Sequence, residues 1–133
     1  MRVLVVSSWF PYPTDNGSRL RIFHLLEALG RAHHITLLTF GRNEGGEQVG
    51  PLLRFCGDVH VVRPPKRLRL SGLFSTVPRH YAQTLNAEMV SLISTHAPAH
   101  DVTMAMQIRA AVHLVEARQT TPALFEEVEL GAA

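Results

Sequence analysis

The chain reads as an α/β protein with a Rossmann-like fold. A doubly wound parallel sheet of about five strands is expected, with helices on both faces. Three observations predict it. Short apolar runs recur along the chain, beginning almost at the first residue with Val3-Leu4-Val5-Val6-Ser7. Segments with helical spacing alternate with them. The runs are continuous rather than alternating, as suits strands buried on both faces.

Taken in order, Val3 to Ser7 is the first strand. Pro11, Pro13, Asp15, Asn16 and Gly17 then form a loop, since prolines and turn-formers exclude regular structure. Ile22, Leu25, Leu26 and Leu29 share one helical face, with Asp15, Asn16 or Ser18 as candidate caps and Gly30 as the stop. Ile35 to Phe40 is the second strand, and Gly41 to Gly46 a polar loop. A short helix is expected over Val49 to Phe55, started or broken near Pro51. Asp58 to Val62 is the third strand, stopped by Pro64-Pro65. Arg63 to about Thr84 is the least regular stretch and reads as a long excursion, not a domain linker. Leu85, Met89, Leu92 and Ile93 mark a helix, which Pro98 ends. Asp101 to Met106 is the fourth strand. Ile108, Ala111, Val112 and Val115 predict the buried face of a further helix. Pro122 to Phe125 opens a fifth strand that runs toward Glu126-Glu127-Val128-Glu129.

A length of 133 residues fits one domain with one core. One cysteine, Cys56, excludes an internal disulfide framework and any CxxC metal site. No apolar run is long enough to span a bilayer. The apolar start is too short for a signal peptide and lacks a small-residue cleavage site. A cytoplasmic protein is the expectation.

Charge is unevenly spread. Residues 1–80 hold 11 basic and 5 acidic side chains, and residues 81–133 hold 2 and 6. The densest basic run, Arg63 to Leu70, includes Lys66, Arg67 and Arg69. Such asymmetry points to a phosphate-bearing partner, or to nothing more than a solvated basic loop. Nucleic acid is not expected, because the run lacks interleaved aromatics and no nucleic-acid-binding motif is present.

In open α/β sheets, ligands bind beyond the carboxyl ends of the strands. That rule selects the loop Ser8 to Ser18, Gly41-Arg42, Gln107, and the acidic cluster Glu126 to Glu129. Gly17 opens a helix, where backbone N–H groups and the dipole favour an anion. Arg19 and Arg21 add positive charge where the dipole alone prefers acids. A bare turn with both arginines in water is the plainer alternative. Neither GxGxxG nor a phosphate-loop motif occurs, which lowers dinucleotide and ATP chemistry. The histidines show no HExxH spacing, and no metal site is expected. Cys56 reads as a small buried hydrophobe. Glu127 and Glu129 fall on one face of the last strand and are candidates to orient or deprotonate a hydroxyl, the plainer alternative being frayed acidic residues at the terminus.

Several of these residues carry a resemblance. Val3 to Ser7, then Trp9-Phe10-Pro11-Tyr12-Pro13, Asn16-Gly17, Arg21 and Leu25-Leu26 resemble the opening of family 4 glycosyltransferases of the GT-B fold. His34-Ile35-Thr36-Leu37-Leu38-Thr39 is similar to that family's second strand, without the acidic residue that usually follows the histidine. Gly72-Leu73-Phe74 to Pro78 and Tyr81 resemble sugar transferases of bacterial exopolysaccharide systems. Glu127-Val128-Glu129 looks like a variant of the family's strand-five ending.

The resemblance implies that the chain is the N-terminal, acceptor-side half of such an enzyme. A C-terminal half in cis or trans would hold the nucleotide-sugar donor. Asn16, Gly17 and Arg21 would approach the donor diphosphate, and Gln107 and Glu129 would lie on the acceptor side. Lys66, Arg67 and Arg69 would rest on an anionic membrane that presents a lipid-linked acceptor. No cofactor is implied beyond the donor itself. The fifth strand has no following helix, so either it is an edge or the chain is a piece of something longer; the second is the expectation, and with it a chain inactive alone. Two rivals stay open: a non-catalytic subunit that docks a separate donor domain, and a stand-alone nucleotide-binding module.

Overall fold

The computed structural model describes residues 1–41, 49–63 and 85–126. Its strands are β1 (Arg2–Ser7), β2 (His34–Phe40), β3 (Asp58–Val62), β4 (Val102–Met106) and β5 (Ala123–Glu126). Its helices are α1 (Gly17–Gly30), α2 (Ala87–His96) and α3 (Ile108–Glu116). They form one sheet in the order β3-β2-β1-β4-β5, and every pairing is parallel. The expected α/β fold, a Rossmann-like doubly wound sheet, is therefore present. Strand order reverses between β1 and β4, which register Ser7 against Met106.

The continuous apolar runs do what their pattern implies. Val3 and Val5 pack on one face with Ile22, Leu26, Ile35, Leu37 and Leu52. Leu4 and Val6 pack on the other with Leu38, Met89, Ile93, Ala110 and Leu114. Alternate residues of one strand thus feed two cores, α1 covering the first and α2 with α3 the second. Each such side chain stabilises the fold by about 1.5–3 kcal/mol through burial.

Gly30 ends α1, for a reason other than a left-handed cap. A Cβ there would lie 2.4 Å from the Phe55 carbonyl oxygen, so the segment before β3 presses on the helix end. Between β2 and β3 the expected helix over Val49 to Phe55 is corrected to a single 3-10 turn, Leu52–Arg54. Pro51 starts that turn and Gly57 follows it closely, leaving room for little more than one hydrogen-bonded turn.

The face of α3 is also corrected. Ile108 and Val115, expected inside, are 43% and 62% exposed. Val112 is buried as expected, and Ala110, His113 and Leu114 are buried with it. His113 is drawn inward by two hydrogen bonds: Nδ1–H donates to the Arg109 carbonyl at 2.6 Å, and Nε2 accepts from the Asn86 N–H at 3.1 Å. Ala110 is small enough to let α3 close on the sheet. β5 is an edge strand, with Leu124 and Phe125 each about half exposed. No helix among the described residues is long and apolar enough to cross a membrane.

Candidate functional site

The carboxyl ends of β1 and β4 define the crevice of a doubly wound sheet. After β1, the Trp9 carbonyl accepts hydrogen bonds from the Ser7 hydroxyl at 2.7 Å and the Thr39 hydroxyl at 3.1 Å. Phe10 is buried against the α1-side core. These contacts hold the start of the loop over the end of the sheet.

Asn16 is the cap of α1. Its Oδ1 accepts from the Arg19 N–H at 2.9 Å, and its carbonyl accepts from the Leu20 N–H at 3.0 Å. Gly17 is the first helical residue, and a Cβ built on it meets nothing within 4 Å. Packing does not demand glycine there; the space beside its backbone is open. Both arginines have carboxylate partners. Arg19 pairs with Asp15 at 3.2 Å. Arg21 pairs with Glu126, so it reaches across the crevice to the end of β5.

Gln107 lies between these groups. It follows β4 and precedes α3, with φ 78° and ψ 156°. That region is almost reserved for glycine, and any other residue there costs about 1–3 kcal/mol. Its N–H donates to the Glu126 carbonyl at 2.8 Å, and its carbonyl accepts from Ala110 and Ala111. The side chain makes no cap hydrogen bond to α3. The residue is buried, and its Oε1 has no hydrogen-bond partner among the described residues.

Ser8 and Arg19 share that last property. Ser8 Oγ and Arg19 Nε are buried without partners. Neither atom's isolation is legible in sequence, because it depends on the register of β1 with β4 and on the cap at Asn16. Leu20 and Ile108, at the starts of α1 and α3, add two half-exposed apolar side chains on the rim.

Of the expected site residues, the structure brings Asn16, Gly17, Arg21 and Gln107 to one end of the sheet. Glu127 and Glu129 lie outside the described residues, as do Lys66, Arg67 and Arg69 and the stretch Gly72 to Tyr81. Glu126 is the acidic side chain that is placed, and it serves as counterion to Arg21.

The other end of the molecule differs. A cavity of about 410 Å³, lined by Gly30, Arg31, His33, His34, Arg54 and Cys56 among others, sits at the amino end of β2. It lies away from the crevice. Burial pushes the Cys56 thiol up to about 12. His100 uses both ring nitrogens, Nδ1 on the His96 carbonyl at 2.6 Å and Nε2 on the Thr36 hydroxyl at 2.8 Å. His96 is held below the usual histidine value by burial, then by its neighbours His60 and His100. Among the described residues, no group of three or more His, Cys, Asp or Glu side chains is placed to hold a metal ion.

No family model, no curated protein and no solved structure matches the chain. The class rests on the sheet itself: an α/β protein with an all-parallel, doubly wound sheet and a helix N-terminus at the reversal of strand order.

Proposed function

We propose that residues 1–133 form the acceptor-side domain of a glycosyltransferase of the GT-B type. The enzyme would move a sugar from a nucleotide-sugar donor to a glycan or lipid-linked acceptor. One observation carries the reading: the N-terminus of α1, with Gly17 open to approach, sits at the strand-order reversal beside Arg21. A helix N-terminus carries about half a positive charge, and preorganised dipoles of this kind stabilise charge that develops on a leaving diphosphate. Arg21 adds a guanidinium that exchanges Glu126 for the phosphate. The half-exposed Leu20 and Ile108 suit a rim that a facing donor domain covers.

In this reading the chain is inactive alone, works at the cytoplasmic side of a membrane, and rests Lys66, Arg67 and Arg69 on anionic lipid. The test is Gly17→Val in the complete two-domain enzyme. Transfer is expected to fall by roughly 100-fold or more with folding intact. Wild-type transfer by a folded Gly17→Val enzyme removes the phosphate role.

The apolar rim also favours a second reading, a non-catalytic subunit that docks a separately encoded donor domain. Activity that arises only on mixing two chains selects it. Tight binding of a nucleotide by this chain alone selects a stand-alone module instead.

A further inference from the structure

Two independent costs meet at Gln107. Its backbone occupies a region that glycine tolerates and glutamine does not, with φ 78° and ψ 156°. Its side-chain carbonyl is buried with no partner, and the residue is only 7% exposed. A buried acceptor left unsatisfied is itself unfavourable. The backbone groups of Gln107 serve the fold, pairing with Glu126 and with the start of α3, but its side chain does not cap that helix.

The neighbouring strand repeats the second cost. Ser7 and Met106 are register partners and end β1 and β4, so Ser8 and Gln107 are the first residues past the paired strands. Ser8 Oγ is also buried and unpartnered. Two polar groups without partners among the described residues thus follow the paired ends of neighbouring strands, where strand order reverses.

Their chemistry selects the ligand. A glutamine carboxamide accepts through its oxygen and donates through its nitrogen, and here it is the oxygen that is buried without a partner among the described residues, so a group that brings a proton suits it. A serine hydroxyl both donates and accepts. We propose that Ser8 and Gln107 form a subsite for a sugar hydroxyl, Gln107 Oε1 accepting its proton and Ser8 Oγ donating to it or to its neighbour. That the hydroxyl belongs to a sugar rests on the transferase reading above. An amide neither takes nor gives a proton at neutral pH, so Gln107 is a positioning residue, and it separates the hydroxyl subsite from the anion site at Gly17 and Arg21.

Backbone amide shifts of the 133-residue chain, followed by NMR, test this. The probes are methyl α-D-glucopyranoside and, separately, inorganic phosphate. The glucoside is expected to move Ser8 and Gln107, and phosphate to move Gly17. Ser8→Ala and Gln107→Ala should each weaken the glucoside roughly fivefold and leave the phosphate response alone. Both variants should melt within about 2 °C of wild type, since no protein hydrogen bond is lost. The subsite is overturned if the glucoside leaves Gln107 unmoved, or if both variants bind it like wild type. It is also overturned if both variants melt far below wild type, which marks a structural role. Glucoside binding without any phosphate response at Gly17 keeps the subsite and removes the anion role of Gly17 in this chain. The reverse pattern removes the subsite alone.

Discussion

The Arg21 guanidinium on α1 is hydrogen-bonded to the Glu126 carboxylate at the end of β5, a partner 105 residues away. The contact joins the first turns of a helix to the edge of the sheet, directly over the strand-order reversal. Its energetic weight is small. The two side chains are 57% and 31% exposed, and exposed pairs contribute about 0–1 kcal/mol. Its importance is electrostatic bookkeeping at the site: Glu126 neutralises the cation that an anionic ligand would use.

Glu126→Gln is therefore expected to raise the affinity for inorganic phosphate or a nucleoside diphosphate by roughly two- to fivefold, and Arg21→Ala to lower it. Both variants should unfold within about 1 kcal/mol of wild type. Calorimetric titration at low and high salt measures the first effect, and urea unfolding the second. An unchanged affinity in both variants excludes Arg21 from anion binding.

Two glycines at opposite ends of α1 should answer alanine differently. At Gly17 a Cβ meets open space, so Gly17→Ala should stabilise the chain by about 0.5–1 kcal/mol. At Gly30 it would meet the Phe55 backbone, so Gly30→Ala should destabilise by about 1–3 kcal/mol. Urea midpoints that move the same way in both variants would contradict the close approach of Phe55.

Buried His113 makes stability depend on pH. Burial, the largest influence, holds its pKa below the usual 6.5, against smaller upward pulls from the Arg109 carbonyl and Glu116. The unfolded chain then takes up a proton that the folded chain refuses. Stability is fully present above pH 6.5 and is lost as pH falls below it, by up to about 1.4 kcal/mol per unit until the folded histidine also protonates. Urea unfolding between pH 7 and 5 follows this loss. His113→Gln should flatten the slope. A slope that survives the substitution assigns the effect elsewhere, His96 being the next group held low.

The thiol of Cys56 is buried and pushed up to about 12, so almost none is thiolate near neutrality. Alkylation by iodoacetamide at pH 8 should require unfolding and should accelerate by orders of magnitude in denaturant. Fast labelling of the native chain would contradict the packing of Cys56 with Leu52 and Ile35.

The sheet was legible because its central strands, β1 and β2 above all, are apolar on both faces. Val3 to Val6 could only be a doubly covered strand, and β3 falls at Asp58–Val62 as its flanking residues imply. α3 was legible as a helix but not as a face. The sequence offers Ile108 and Val115 as apolar candidates, yet two hydrogen bonds turn His113 inward and leave those two in solvent. The connection before β3 starts its turn at Pro51 as the sequence suggests, but apolar spacing does not distinguish a helix from the single turn found there. The loop at Asn16 and Gly17 announced itself through turn-forming residues. The left-handed backbone of Gln107 did not, since glutamine gives no local sign of it. Ser8 became visible only through the pairing of β1 with β4.

Asn86 draws one more consequence. Its side-chain amide donates to the Arg63 carbonyl at 2.9 Å while its own N–H donates to His113. The two ends of the connection from β3 to α2 are thereby stapled at a single point on the scaffold. One side chain thereby clamps the end of β3 to the first turn of α2, so replacing Asn86 by alanine would free both at once, at a cost of about 0.5–2 kcal/mol.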